Sequence, residues 1–288
     1  MTDSIEVLEQ LPASHPNGLV ICATFESSGR SIDREMWLLH EEILSLTMPP
    51  GARLLHIAGP FSHAEHIDRL TMSLRNEFES MRANGSEKSL STSVLFLVDL
   101  DCVPLDPPAV RGLVTLAQQG ELVGNLQSSN HLRNDHHVFI APSFLAVSLS
   151  TLDALDWPSA RGTARSDVCE EWTWLAQNAG VPVRGLMPLS HELAPRECDS
   201  WRLGRDSGTY GIGTTFGLAG GREVSWHCFQ FQSRRETFRE WMGEMRGLLR
   251  SHNYRSARLP RRKMDRTDFV VSRFKLIRQN LYARKPPA

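Results

Sequence analysis

The chain has 288 residues, 41% of them hydrophobic and 23% charged; these are ordinary globular proportions, which exclude a disordered, collagen-like or coiled-coil chain. That length holds one large domain or two small ones, and no apolar run approaches the roughly 20 residues that span a bilayer. The net charge of −1 hides a split: residues 246–288 hold 13 Lys/Arg against 2 Asp/Glu, and residues 1–245 hold 19 against 31, so an acidic body carries a basic end.

Residues 1–17 read as a loose lead-in, with Asp3, Glu6 and Glu9 where a signal peptide would carry basic residues. Leu19 to Phe25 is short, apolar and bounded by Gly18 and Ser27-Ser28-Gly29, which predicts a buried strand. Ser31 is the expected cap of a helix whose Met36, Leu39, Ile43 and Leu46 share a face, and Pro49-Pro50-Gly51 stops it. Arg53 to Ala58 reads as a second strand. His63 to Met81 reads as a second helix, with Ile67, Leu70, Leu74 and Phe78 on one face. Asn84 to Thr92 is a polar loop, and Ser93 to Val98 is a third strand.

Strand, helix, strand, helix, strand in that order predicts a parallel sheet covered by helices. Right-handed crossovers make residues 18–105 a Rossmann-like half. Ligands of such sheets sit beyond the carboxyl ends of the strands, where the loops Glu26–Arg30 and Asp99–Leu105 fall. Residues 106–245 are less regular. Helices are expected over Pro107–Gln118, Pro142–Leu155 (behind Ser143), Asp167–Ala179 (capped by Ser166) and Arg234–Leu249. Strands are expected over Glu121–Asn125, His136–Ala141, Val181–Met187, Thr209–Gly213 and Val224–Phe231. The five cysteines (Cys22, Cys102, Cys169, Cys198, Cys228) are odd in number and form no C-x-x-C pair, so a disulfide framework is not expected and a reducing cytoplasm is.

The strongest chemical signal is Val94-Leu95-Phe96-Leu97-Val98-Asp99-Leu100-Asp101. A hydrophobic strand delivers two carboxylates at alternate positions, which period-two geometry would put on one face. Close carboxylates repel, and a hard divalent cation relieves the repulsion. His227, in the apolar run Ser225-Trp226-His227-Cys228-Phe229, is a candidate third ligand. In Ser166-Asp167-Val168-Cys169-Glu170-Glu171-Trp172-Thr173-Trp174, helical spacing puts Asp167, Glu171 and Trp174 on a face beside an apolar stripe. The polar run from Gly124 to His131, with Asn125, Gln127 and Asn130, suits hydroxyl recognition or a plain loop. His63-x-x-His66 and His136-His137 lack a Cys/His partner at zinc spacing. Tyr210 to Gly217 lacks the Lys and following helix of a P-loop and reads as a hairpin or lid.

The D-x-D strand end, the distal histidine and the acidic helix start together resemble the GT-A-fold, nucleotide-sugar glycosyltransferases over roughly residues 18–232. The resemblance implies a single α/β domain with a Rossmann-like nucleotide-binding half (18–105), an acceptor half (106–245) and a mixed central sheet, followed by the basic extension 246–288. It implies Mn²⁺ or Mg²⁺ held by Asp99, Asp101 and His227, and a nucleoside diphosphate sugar as donor, a UDP-sugar first among them. Thr24, Glu26, Arg30 and Asp99 fall near the nucleotide. Glu171 is the implied general base with Asp167 as its competitor, and Asn125, Gln127, Asn130, His131, Glu170 and Trp172 fall on the substrate side. The acceptor is a glycan, a lipid-linked or lipopolysaccharide hydroxyl, or a modified nucleic acid.

Other readings of the pair are a nucleotidyltransferase or a haloacid-dehalogenase-like phosphatase. The latter's motif sits on a first strand and continues Gly-Thr, whereas Cys102-Val103 follow here. The basic end could also act alone, on an anionic membrane surface or a nucleic acid, or fold back on the acidic body. The expected place is the cytoplasm, with peripheral membrane association through that end.

Overall fold

The computed structural model describes residues 18–27, 32–85, 91–129, 137–192, 201–202, 209–210, 213–218, 221–228, 235–251 and 262–263. In chain order the elements are β1 (Val20–Glu26), α1 (Arg34–Thr47), β2 (Arg53–Ala58), α2 (His63–Ala83), β3 (Val94–Val98), β4 (Cys102–Pro104), α3 (Pro107–Gln118), β5 (Leu122–Ser128), β6 (Val138–Ser148), α4 (Leu149–Ala154), α5 (Glu170–Asn178), β7 (Val183–Glu192), β8 (Trp201–Arg202), β9 (Thr209–Tyr210), β10 (Gly213–Leu218), β11 (Arg222–His227), α6 (Arg235–Arg250) and β12 (Arg262–Lys263).

Alternation along the first strands fixes the layers. On β1, Ile21, Ala23 and Phe25 join Leu95 and Leu97 of β3 against α2, α4 and α5. Val20 and Cys22 join Val94, Phe96 and Val98 on the other face, with α3 and the end of α1. A third cluster joins Met36, Leu39 and Ile43 of α1 to Leu100, Val103, Trp226 and the α6 residues Phe238, Trp241 and Met245. The helix starts follow ordinary capping rules. Asp33 caps α1 by accepting from the Met36 N–H, and Ser62 and Glu65 form a capping box on α2.

The result is one large curled mixed sheet in the order β2-β1-β3-β6-β5-β7-β10-β11-β4, with β12 on β7. β1 is parallel to β2 and β3, as the strand–helix order predicts. β6 runs antiparallel between β3 and β5, and β7 returns parallel to β5. The first part of β7 pairs with β5 and its second part with β10, so this one strand carries the sheet round its bend. The curl brings β4 against β11.

Three expectations need correction. Residues 142–148 are strand, not helix: β6 runs through Pro142 to Ser148, and Ser148 caps the short α4. Pro142 is tolerated because the pairing with β5 breaks between Ile140 and Leu145, and the β3 ladder begins only at Phe144. α5 starts at Glu170, behind Cys169 in a left-handed conformation, and Ser166 belongs to a turn with Thr163. The cap of α1 is Asp33, not Ser31, which lies outside the described residues.

α6 continues past residue 245 to Arg250, so the basic extension begins inside a helix. Arg246 and Arg250 both reach Glu42 of α1, and Arg262–Lys263 pair with β7. The rest of the extension lies outside the described residues. No helix among the described residues is long and apolar enough to cross a membrane.

Candidate functional site

β1, β3 and β5 run parallel, and β11 points the same way through β7 and β10, so their carboxyl ends share one edge. That edge carries Glu26, Asp99, Gln127 and His227. α1 lies on one face of β1 and α2 on the other, so the gap between β1 and β3 is the point where ligands of open α/β sheets bind.

Asp99 and Asp101 meet through a turn rather than through strand alternation. The Cys102 N–H donates to the Asp99 carbonyl at 2.9 Å, which closes the chain on itself between β3 and β4. Leu100, between them, is buried against α1 and α6 and anchors the turn. The Asp99 N–H donates to the Ser143 carbonyl at 3.0 Å. His227 arrives from the opposite end of the sheet because it pairs with Cys102 across the β4–β11 ladder. Its Nε2 stands 3.2 Å from Asp101 Oδ1, with both side chains almost covered. Ligand atoms of Asp99, Asp101 and His227 all lie within 4.8 Å of one another. Two ligands at right angles on a cation with bonds of about 2.1–2.2 Å are separated by about 3 Å. The Asp101–His227 contact has that spacing, which is equally the spacing of an ordinary ion pair.

A wider ring of polar groups surrounds the three. His63 Nε2 lies 3.1 Å from Asp99 Oδ1. Gln127 lies 3.5 Å from both His227 Nδ1 and Ser143 Oγ. The fully buried His40 bonds through Nε2 to the Cys102 carbonyl; burial lowers its pKa to about 4. Burial and the two nearby aspartates push the Cys102 thiol well up; burial likewise raises Cys169, with Asp99 and Asp68 adding to it. Neither offers a thiolate near neutral pH. At the end of β1, Glu26 lies 3.3 Å from His56 Nε2, and the Trp37 ring stacks on His56 at 3.7 Å. Burial lowers the His56 pKa, and Glu26 works against that.

Several expected contact residues are placed elsewhere. Asn125 is wholly buried: its carboxamide accepts from Ser225 at 2.7 Å and faces Cys102 Sγ, so it braces β5 against β11 and β4 instead of meeting a substrate. Trp172 is 0% exposed and donates through Nε1 to the Ser159 carbonyl, which makes it core. Glu170 is equally covered, paired with His137 at 2.9 Å and accepting from the Asp167 N–H. Thr24 is 0% exposed beneath the edge. Glu171 lies in a fork of the Arg165 guanidinium, which holds its carboxyl below the usual range. Asp167 lies three residues before the start of α5. Arg30, Asn130 and His131 lie outside the described residues.

No protein-family model matches the chain, and no curated protein matches it in sequence. His63 and His40 are the site neighbours that sequence reasoning missed, whereas Gln127, expected on the substrate side, does lie beside His227 and Ser143. A signal for His63 was present: in a parallel β–α–β unit the helix after a strand starts at the carboxyl edge, and His63 follows the Ser62 cap.

Proposed function

We propose that the chain is a metal-dependent glycosyltransferase of GT-A type, which moves a sugar from a nucleoside diphosphate sugar to an acceptor hydroxyl. One observation carries this reading: Asp99, Asp101 and His227 gather at the carboxyl edge of the sheet, beside the β1–β3 gap. Asp99, Asp101 and His227 would hold Mn²⁺ or Mg²⁺, which when bound offsets the negative charge that builds on a departing nucleoside diphosphate. Glu26, with His56 and Trp37 beside it, lies where the nucleoside would enter, a UDP-sugar being the first donor to try. The general base belongs to the Asp167–Glu171 segment, and Glu171 must leave the Arg165 fork before it can take a proton from an acceptor. The basic residues 246–288 would bring a phosphate-rich acceptor or membrane surface to the acidic body.

The test is nucleotide binding with and without Mn²⁺. The full chain should bind a nucleoside diphosphate more tightly with Mn²⁺, lose that gain in EDTA, and hydrolyse nucleotide sugars slowly without acceptor. Asp101→Ala should abolish the metal-dependent part. Full nucleotide affinity in that variant, unchanged by EDTA, would defeat the reading. Cleavage of a generic phosphomonoester alone, or release of pyrophosphate from a nucleoside triphosphate, would replace it with a phosphatase or a nucleotidyltransferase.

A further inference from the structure

We infer that Asn125 is a positioning residue for His227: its bond to Ser225 selects the register of β11 that turns His227 toward Asp101. The consequence for a metal rests on the cation-site reading above. Near their connection, β10 and β11 pair Leu218 with Arg222 and Gly217 with Glu223. Carried on unbroken, that register would set Trp226 opposite Thr214. Instead Phe216 pairs with Ser225 and Thr214 with His227, and Val224 is the extra residue of a one-residue shift. Side chains alternate along a strand, so a shift of one residue turns every later side chain to the other face. The shift therefore decides whether His227 or Trp226 faces the side of the sheet where Asp101 lies.

Two contacts hold the shifted register, one on each face of β11. On one face Trp226 stacks on Trp241 at 4.0 Å and on Phe238 at 5.8 Å between centroids. On the other, the Ser225 hydroxyl donates to the Asn125 carboxamide oxygen at 2.7 Å, with both residues wholly buried. β5 and β11 are not neighbours in the sheet, because β7 and β10 stand between them, so this bond spans the curl. The residues around it are apolar: Val123, Leu186, Phe216 and Cys102 belong to one packing cluster. A buried polar pair adds little net stability over apolar groups of the same shape, whereas either partner left alone costs its full desolvation. In the unshifted register Ser225 would face away and Asn125 would lose its hydroxyl. The pair therefore weights the choice of register more than it weights folding. Two residues further along both strands, Gln127 comes within 3.5 Å of His227 Nδ1 and forms a second rung of the same tie.

The test replaces both partners at once in the full-length protein, Asn125→Leu with Ser225→Ala, so that neither is left buried without the other. Nuclear magnetic resonance reads the register without metal, as the proton contacts of His227 with its ladder partners Cys102 and Thr214. Electron paramagnetic resonance of the free ion reads Mn²⁺ affinity. The double variant should fold, show those contacts weakened or joined by a second set made by Trp226, and bind Mn²⁺ about tenfold or more weakly. Should only Ser225→Ala fold, it carries the same two expectations. Wild-type contacts in the folded variant, or changed contacts with wild-type Mn²⁺ affinity, would overturn the inference; the first result would leave Trp226 as the residue that sets the register. Failure of both variants to fold would overturn it too, because the bond would then hold the sheet together rather than choose its register. Asp101→Ala separates the two failures: if it binds Mn²⁺ as wild type does, the cation-site reading is wrong, while the metal-free contacts still decide whether Asn125 sets the register.

Discussion

Glu171 shows how a single contact changes what a residue can do. The Arg165 guanidinium donates to both of its carboxylate oxygens, and Ser166 and Thr163 add hydrogen bonds, so its proton affinity falls. A carboxylate held this way adds stability above its unfolded value and loses it as pH falls through the lower folded one. Arg165→Ala should therefore move the Glu171 pKa back up toward 4.5, which a carbon-13 NMR titration of the side chain will read. No change would mean that Ser166 and Thr163, not Arg165, set its acidity. Residue type marked Asp99, Asp101 and His227, which the fold does bring together, though the aspartates meet by a turn and not by the alternation their spacing suggested. Residue type and spacing could not reveal Arg165, Asn125 or Glu170, because a carboxylate or a carboxamide reads the same whether its partner is a substrate or the protein.

Among the elements, α1 to α3 were readable because each keeps the helical period and ends near a cap, Gly or Pro, and β1 to β3 because each is a short apolar run of strand length. β6 was not: an apolar run without alternation, with Pro-Ser inside it, fits a helix start as well as a strand covered on both faces, and only the neighbouring ladders decide. The start of α5 was misread by three residues because its acids cluster ahead of a left-handed Cys169 that no sequence rule marks. Once placed, α5 is fastened to the sheet chiefly by Trp172, which is wholly buried in the α2–α4–α5 layer. Trp172→Ala should cost about 3–5 kcal/mol in urea unfolding. Trp172→Phe, which keeps most of the ring and loses the bond to the Ser159 carbonyl, should cost less. Equal losses in the two variants would show that the hydrogen bond, not the volume, holds the helix.

On the scale of the whole molecule, the third packing cluster closes the structure by setting α1 and α6 over β4 and β11, with His40 sealed beneath them. Burial keeps His40 neutral, with a folded pKa of about 4 against an ordinary 6.5; His56, Asp99 and Asp101 are the charged groups that face it. A histidine lowered in this way adds stability above its unfolded value and loses it as pH falls from 6.5 toward 4, because the unfolded chain takes up the proton first. Unfolding free energy should fall across that window by more in wild type than in His40→Gln, the difference being on the order of 3 kcal/mol at its lower end. Parallel pH profiles for the two proteins would assign the acid sensitivity to other groups.

The pairing of β4 with β11 also has a consequence in time. β4 leaves the ribosome directly after Asp101, but its ladder partner among the described residues is completed only at His227, about 126 residues later. At 5–20 residues per second that is roughly 6 to 25 s of translation. Throughout that interval the nascent chain carries both aspartates and an unpaired strand, with the distal histidine still to be made. Ribosome-bound chains halted before residue 222 should bind Mn²⁺ poorly and expose β4 to protease, and both properties should change together once β11 has emerged. The proposed cation site would then mark the moment at which β11 closes on β4.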